Sequence, residues 1–392
     1  MENFVYYNPT KVIFGKDTEI TVGKEVKKYG SKVLVHYYGD EWIKKSGLLE
    51  RIISSLKAEG LKIIELPGVQ PNPRLKLVYE GIKIVKEKGV DFILAVGGGS
   101  AIDSAKAIAI GVPYNGDVWD FYTGKAEVKE TLPVGVILTI AAAGSETSAS
   151  SVITNENGWY KRSIDGCDVI RPKFAIMNPE LTYTLPPYQT ASGGVDIMSH
   201  VMERFFSVTQ YVDITDRLCE AVLKTVIKNL PIVLKEPDNY NARAEIMWAG
   251  SLAHNDLVGT GRKPAFACHY IEHDIGGIYD VAHGAGLTAI IPSWMRYIFK
   301  ERLEAFVKFA VRIWNVDYNF EEPVRTALKG VERLEDFFRQ VSMPVTLKEL
   351  DANISEDRFD EIARKSTEKG PIGFFRPLDK DDVVNILKMA KG

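Results

Sequence analysis

The sequence predicts a parallel α/β domain over residues 1–187 and an all-helical domain over residues 188–392. In the first half, short apolar runs alternate with amphipathic helical patterns, which is typical of a sheet wound with crossover helices. After residue 188 almost every pattern is helical. Pro186 and Pro187 lie between the halves, and a proline pair can continue neither a helix nor a central strand.

The predicted elements follow from apolar spacing. Runs rich in Val, Ile and Leu without clean alternation indicate strands covered on both faces. We predict these strands at residues 32–37, 61–66, 91–97, 133–140 and 174–177. Apolar residues at helical spacing among Lys and Glu predict helices at residues 42–59, 74–88, 216–230, 242–255 and 302–314.

The composition of the 392 residues excludes some partners. Lys and Arg number 49 against 52 Asp and Glu, a net charge of −3, and no basic arm suggests nucleic acid. No stretch approaches the roughly 18 apolar residues of a membrane span, and no secretion signal opens the chain. Three scattered cysteines fit reduced thiols, so we expect a cytoplasmic protein with no membrane partner.

A glycine-rich turn follows the third predicted strand. Gly97, Gly98 and Gly99 precede a helical pattern that opens at Ser100. Glycines let a phosphate approach the backbone, and a helix N-terminus offers free N–H groups. Residues 141–153, a second loop of small residues, follow the next predicted strand, and ligands of parallel sheets bind at such strand ends. The two loops predict a dinucleotide site, with a tight turn that binds nothing as the alternative.

Histidines cluster in the second half of the chain. Asp196 and His200 are four residues apart and share one face of a predicted helix. His269, His273 and His283, three of six histidines, fall within fifteen residues. Imidazole with carboxylate suits Fe²⁺ or Zn²⁺ rather than Ca²⁺ or Mg²⁺. The spacing leaves open whether His269 or His273 is a ligand.

Three other residues have simpler interpretations. His36 lies in a predicted strand and His254 in the segment SLAHND, and we interpret both as structural histidines. Cys268 could be a soft metal ligand, but a small buried packing residue is the preferred interpretation.

Six segments together resemble a known family: FVYYNPTKVIFG, GGGSAIDSAKAIA, AAGSET, NPELTYTLPP, GGVDIMSHVMERFF and HYIEHDIGGIYDVAHGAG. They are similar to the iron-containing (type III) alcohol dehydrogenases, in particular the butanol dehydrogenase-like branch. The resemblance implies a dehydroquinate synthase-like architecture, with an α/β nucleotide-binding domain followed by an all-helical metal-binding domain. It also implies a homodimer or larger homo-oligomer.

The resemblance assigns roles to the histidine cluster. Asp196, His200, His269 and His283 match the four metal ligands of the family, for Fe²⁺ or alternatively Zn²⁺. His273 matches an unligated histidine near the nicotinamide that is implicated in proton transfer.

The resemblance also implies a cofactor site. The pyrophosphate lies on the glycine-rich turn with Asp103 nearby, Thr139 lies along the cofactor, and Lys161 bonds the nicotinamide ribose. The implied cofactor-binding residues are Gly97, Gly98, Gly99, Ser100, Asp103, Thr139 and Lys161.

Asp40 bears on the choice of cofactor. An acidic residue at the end of such a strand accepts hydrogen bonds from the adenosine ribose, whereas a 2′-phosphate needs basic or small groups. The butanol dehydrogenase-like branch commonly has Gly-Gly-Gly-Ser where this chain has Gly-Asp-Glu-Trp at residues 39–42. We therefore predict NAD(H) rather than NADP(H). Asp40 as the N-cap of the following helix is the alternative, and Lys44 or Lys45 could still meet a phosphate.

These features predict an NAD(P)-linked alcohol dehydrogenase or aldehyde reductase for short- to medium-chain substrates such as butanol and butanal. A metal would bind the substrate oxygen while a hydride moves to or from nicotinamide C4. The alternatives are a dehydroquinate synthase-like lyase or cyclase, a polyol (glycerol or propanediol) dehydrogenase and a non-catalytic binding protein. The lyase would need a cluster of basic residues, and only Arg262 and Lys263 lie near the second histidine motif.

Overall fold

The computed structural model describes residues 1–39 and 42–392. They form two compact units: an α/β unit, Tyr7–Thr184, and a helical unit, Leu185–Gly392 together with Met1–Tyr6. The domain boundary expected after residue 187 stays a prediction. Among the described residues, no helix has the length and apolarity needed to cross a lipid bilayer.

The α/β unit contains one parallel sheet and one hairpin. Its strands are β1 (Lys11–Phe14), β2 (Lys32–Tyr38), β3 (Lys62–Val69), β4 (Phe92–Gly97), β5 (Val134–Leu138), β6 (Ser151–Asn155), β7 (Tyr160–Ile164) and β8 (Phe174–Met177). Its helices are α1 (Val22–Val26), α2 (Trp42–Lys45), α3 (Leu48–Ala58), α4 (Leu75–Lys88), α5 (Gly99–Gly111) and α6 (Trp119–Thr123).

The order of the strands determines where a ligand can bind. The six-stranded sheet has the order β1-β8-β5-β4-β2-β3 with every pair parallel. From β2 the chain runs to β3 on one side and then returns to β4 on the other side. The carboxyl ends of β2 and β4 therefore form a topological switch point, the usual ligand site of an open parallel sheet.

Most of the strands match the sequence expectation. The five predicted strands are all present, and β8 has the predicted bounds. The prediction omitted β1, a four-residue edge strand, and the antiparallel hairpin of β6 and β7, which has polar residues along its length. The single helix predicted over residues 42–59 is wrong, because Gly47 adopts a left-handed conformation with φ of 71° and separates α2 from α3.

The helical unit confirms the all-helical expectation, since no strand occurs in residues 185–392, all of which are described. Its helices are α7 (Pro187–Phe205), α8 (Asp213–Lys235), α9 (Tyr240–His254), α10 (Cys268–Tyr279), α11 (His283–Ile298), α12 (Leu303–Trp314), α13 (Pro323–Gln340), α14 (Leu347–Leu350), α15 (Phe359–Ser366) and α16 (Lys380–Met389).

Helix α7 lies at the centre of this unit. It begins at Pro187, where a proline costs no hydrogen bond, and it is buried from Thr190 to Phe205. Its burial includes Asp196, His200 and Glu203. Because buried polar groups need partners, these three side chains must find them inside the helical unit.

Candidate metal centre and nucleotide-binding turn

Helix α7 supplies a carboxylate and an imidazole one turn apart. Asp196 and His200 are both almost fully buried, and the Asp196 Oδ1 atom lies 3.7 Å from His200 Nε2. This is the shared helix face that the four-residue spacing predicts. Burial, with the neighbouring ring of His254 as the next cause, lowers the pKa of His200 well below its usual value. His200 is therefore a neutral imidazole, the form that binds metals.

Two further helices bring histidines to the same place. On α10, the ring of His269 lies 4.3 Å from the ring of His200. His283 is the first residue of α11, and its Nε2 atom lies 3.7 Å from Asp196 Oδ1. Asp196, His200 and His269 each offer a ligand atom, and these atoms all lie within 4.8 Å of one another. Three helices thus converge on one small space lined by nitrogen and oxygen.

The residues present fit a divalent cation. Both ring nitrogens of His200 and the Nε2 atom of His269 are buried, and none of the three has a hydrogen-bond partner among the described residues. Leaving such atoms unpaired costs about 1–3 kcal/mol each, and an ion between them would remove that cost. Neutral imidazoles with one carboxylate are ligands that Fe²⁺ and Zn²⁺ accept.

The structure separates His269 from His273, which the residue spacing could not do. Both lie on the same face of α10, but only His269 falls in the group with Asp196 and His200. His273 is buried beside that group, with its ring 5.8 Å from the ring of His283. His273 belongs instead to a second, adjacent group of possible donors with Glu272 and His283.

Sequence reasoning missed two buried carboxylates. Glu203, one turn beyond His200, accepts a hydrogen bond from His269 Nδ1 and two more, both at 2.6 Å, from the backbone N–H groups of Ala267 and Cys268. Glu272 accepts one from His283 Nδ1. Carboxylates often hold the second nitrogen of a metal-bound histidine. The partners here are 66 and 11 residues apart along the chain, so spacing alone could not have paired them.

Neighbours of this site agree with the simpler interpretations. Burial raises the pKa of Cys268 well above its usual value, so its thiol stays protonated and suits packing rather than metal binding. His36 is fully buried in β2, with its two ring nitrogens bonded to the Leu66 carbonyl and the Ser104 hydroxyl at 2.8 Å. The ring of His254 lies 4.3 Å from that of His200, with the two ring planes tilted by 31°, so this histidine is closer to the site than its sequence context indicated.

In the α/β unit, the glycine-rich turn lies at the switch point and begins α5 at Gly99. A Cβ atom on Gly98 would lie 2.0 Å from Cγ2 of Ile140, so no larger residue fits. The Thr139 N–H donates to the Gly97 carbonyl at 3.1 Å, which brings the loop after β5 beside the turn after β4. The two loops that the sequence singled out are therefore neighbours at one edge of the sheet.

Asp103 and Lys106 connect α5 to the second loop. The half-buried Asp103 carboxylate accepts from the Ser145 hydroxyl and the Val152 N–H. Lys106, which the sequence reasoning overlooked, is fully buried, and its Nζ atom lies within 3.3 Å of five oxygens of Ser145, Ser148 and Ser150. Both residues hold the conformation of the second loop through these hydrogen bonds.

Of two other predicted cofactor residues, Lys161 and Asp40, only Lys161 lies among the described residues. Lys161 is buried on β7, opposite Thr154 of β6 in the hairpin. Asp40 lies outside the described residues.

Comparisons with known proteins cover the whole chain. Residues 9–179 match the family model for iron-containing alcohol dehydrogenase, and residues 190–391 match the C-terminal model of the Fe-containing alcohol dehydrogenase family. A probable NADH-dependent butanol dehydrogenase 2 of Bacillus subtilis is 42% identical over 100% of both chains. An NADPH-dependent aldehyde reductase of Escherichia coli is 34% identical over 94% of both.

A solved structure agrees with these relatives. The crystal structure of an NADH-dependent butanol dehydrogenase A from Thermotoga maritima superimposes with a TM-score of 0.95 and 37% identity, covering 100% of this chain and 99% of that one. The matches confirm the dehydroquinate synthase-like fold class, the alcohol-oxidising and aldehyde-reducing reaction class, and the expected pairing of iron with a nicotinamide cofactor. The chain therefore belongs to the iron-containing alcohol dehydrogenase family of oxidoreductases.

Proposed function

We propose that this enzyme reduces short, unbranched aldehydes such as butanal with NADH, and catalyses the reverse oxidation of the primary alcohol. The observation that carries the proposal is the convergence of Asp196, His200, His269 and His283 on one space in the helical unit. Support for the substrate comes from the butanol dehydrogenases among the relatives.

The four converging residues would hold Fe²⁺, or alternatively Zn²⁺. When bound, such an ion supplies a Lewis acid that polarises a carbonyl oxygen. Carboxylates already hold two of these imidazoles. The proposed ligands are three imidazoles and one carboxylate, whereas Mg²⁺ prefers oxygen ligands. His273, which is buried beside these residues, would hold and deliver the proton that the substrate oxygen needs.

The α/β unit would bind the nicotinamide cofactor, the hydride carrier of the reaction. We assign the pyrophosphate to Gly97, Gly98, Gly99 and Ser100 at the start of α5, where backbone N–H groups and the helix dipole favour an anion. The complete proposed set adds Asp40, Asp103, Thr139 and Lys161. Asp103 would act through the loop that it bonds rather than by direct contact. We place the division between nucleotide-binding and metal-binding domains at residues 187 and 188.

A cytoplasmic location and a homodimer or larger homo-oligomer belong to the same proposal. The three cysteines form no disulfide, which suits a reducing compartment. Several apolar side chains near the N-terminus are exposed in the single chain, including Phe4, Val5 and Tyr7. Burying such a patch against a second copy would remove it from water.

A lyase reaction on a phosphorylated acid is not favoured. Arg262, one of the two basic residues near the second histidine motif, is buried and paired with Asp216 at 2.8 Å. That arginine is therefore committed to the interior of the helical unit.

The test is kcat/KM with NADH on iron-loaded enzyme for butanal, glyceraldehyde and a phosphorylated aldehyde, with glycerol and butanol in the oxidative direction. We expect butanal and butanol to be preferred in their respective directions. A clear preference for a polyol or a phosphorylated substrate would refute the proposal.

A further inference from the structure

We propose that Glu272 is a positioning residue that orients His283 toward the metal ion without binding the ion itself. The inference rests on the proposed metal site. Glu272 is fully buried on α10, and its carboxylate accepts a hydrogen bond from His283 Nδ1 on α11. None of the comparisons assigns a role to this carboxylate.

The local packing makes room for the Glu272 carboxylate. A Cβ atom on Gly286 would lie 2.8 Å from Cγ of Glu272 and 3.0 Å from its Oε1 atom. Glycine at this position therefore lets the carboxylate reach the start of α11, one turn from His283. The arrangement depends on α10 and α11 together, since the two partners are eleven residues apart along the chain.

The hydrogen bond decides which nitrogen of His283 faces the site. A carboxylate can only accept, so Nδ1 is the nitrogen that carries the proton toward Glu272, and Nε2 is the nitrogen on the side of Asp196. That Nε2 atom lies 3.7 Å from Asp196 Oδ1. His269 repeats the pattern, because its Nδ1 donates to Glu203 while its Nε2 is buried without a hydrogen-bond partner. Two histidines on different helices thus direct the same nitrogen toward one place.

His283 depends on this hydrogen bond more than the other histidines do. Its side chain is 24% exposed, whereas those of His200 and His269 are 5% and 6% exposed. Packing therefore fixes the ring planes of His200 and His269, but it leaves the ring of His283 room to rotate. A fixed acceptor on Nδ1 removes that freedom at the first residue of α11.

The Glu272 carboxylate also contributes to the charge of the site. Asp196, Glu203 and Glu272 are all at least 97% buried. These three carboxylates bring negative charge to the site. The buried Arg204 guanidinium lies nearby, and its Nη1 atom donates to the backbone carbonyl of His200 at 2.9 Å. A divalent cation would offset the negative charge, and that is expected to strengthen its binding.

Glu272 is a cleaner position to test than Glu203. Glu203 also accepts from the backbone at the start of α10, so replacing it would disturb the helix as well as His269. The E272Q variant keeps the size of the side chain and removes its charge. The matched control is E220Q, because Glu220 is a buried carboxylate of the same unit that pairs with Arg217 and Arg312.

The experiment measures ion binding rather than turnover. Wild type, E272Q and E220Q are stripped with a chelator, checked by thermal melting, and titrated with Co²⁺ and Zn²⁺ against a competing chelator while the Co²⁺ absorption bands are recorded. We expect one ion per chain in all three proteins. In E272Q the dissociation constant should rise about 10- to 100-fold with altered Co²⁺ bands. The metal-free melting temperature should stay close to that of wild type, and E220Q should bind like wild type.

A second variant, G286A, disturbs the contact between Glu272 and His283 without changing either residue. G286A places a methyl group against Glu272 and should weaken ion binding in the same direction. Unchanged affinity and unchanged Co²⁺ bands in E272Q would overturn the inference. Two bound ions per chain in wild type and one in E272Q would also overturn it, because Glu272 would then be a metal ligand. Metal-free forms of both variants melting far below wild type would equally count against it, because Glu272 would then hold the helices together. Wild type that binds no ion would instead defeat the proposed function.

Discussion

His200 has two buried ring nitrogens without hydrogen-bond partners, which makes it the most direct residue for testing the metal site. We expect His200→Ala to lose both the ion and activity, because the ion would lose a ligand that packing holds in place. Elemental analysis of the purified protein should show metal falling from one ion per chain to near zero. His36→Gln is the control, since His36 is a buried histidine of the α/β unit with both nitrogens satisfied. Unchanged metal content in His200→Ala would exclude this ligand set.

Replacing His273 distinguishes a role in proton transfer from a role in metal binding. The His273→Gln variant should keep its ion, because His269 rather than His273 is grouped with Asp196 and His200. Its rate of butanal reduction should fall by about 100- to 10,000-fold, the usual contribution of a general acid. If His273→Gln were metal-free while His269→Gln kept its ion, the two roles would be exchanged.

Asp40 tests the choice between NADH and NADPH. A carboxylate about 4 Å from a phosphate charge costs about 4 kcal/mol at an effective dielectric of about 20, and half of that still exceeds a tenfold preference. Wild type should therefore have the higher kcat/KM with NADH, and Asp40→Gly should move toward NADPH. Lys44→Gln provides the comparison, because it removes a cation from the following helix. A wild type that prefers NADPH would show that Asp40 does not face the ribose.

At the level of elements, buried hydrogen bonds connect α5 to the loop after β5. The buried Lys106 ammonium donates into residues 145–150, and burial lowers its pKa to about 8, so it stays largely protonated at pH 7. Removing either the Lys106 ammonium or the oxygens that surround it would leave buried polar groups without partners, which destabilises a fold. This explains how a loop of small residues, with few side chains of its own to pack, can keep one conformation beside the glycine-rich turn.

The Lys106→Met variant should therefore loosen the loop and weaken cofactor binding. We expect KM for NADH to rise about tenfold with a smaller change in kcat, because the metal site lies in the other unit. Limited proteolysis should cut the loop faster than in wild type. Lys83→Met, which removes an exposed lysine of α4, is the matched control. Equal NADH binding in Lys106→Met and Lys83→Met would contradict the prediction.

At the level of the whole molecule, the ion would cross-link the helical unit. Its proposed ligands come from α7, α10 and α11, so binding favours the folded over the unfolded state. Free ion at a thousand times its dissociation constant adds about 4 kcal/mol to the free energy of unfolding. For a unit of this size that corresponds to a rise in melting temperature on the order of 10 °C.

Calorimetry before and after chelation checks this expectation. Stripping the ion should lower the melting temperature of wild type, and adding Fe²⁺ or Zn²⁺ back should restore it. His200→Ala should respond to neither treatment. A wild-type melting temperature that is indifferent to chelator would show that the ion contributes nothing to the fold.

The sequence by itself determined the local elements and the chemistry of the site. Apolar spacing is a local property, so β4, β5, β8 and the helices α8, α9 and α12 could be predicted from it. The pairs Asp196–His200 and His269–His273 follow from the pitch of a helix. Where local signals were weak or mixed, as at the polar hairpin of β6 and β7 or at Gly47, the prediction failed.

Only the tertiary structure decided which of these groups meet. His269 rather than His273 joins Asp196 and His200 because Glu203 of α7 bonds the start of α10, where His269 lies, and no spacing along the chain encodes that contact. The bond from His269 to Glu203 spans 66 residues, and the one from Lys106 to Ser145 spans 39. Such contacts depend on how buried surfaces fit together, which is a property of the packed helices and strands rather than of any segment alone.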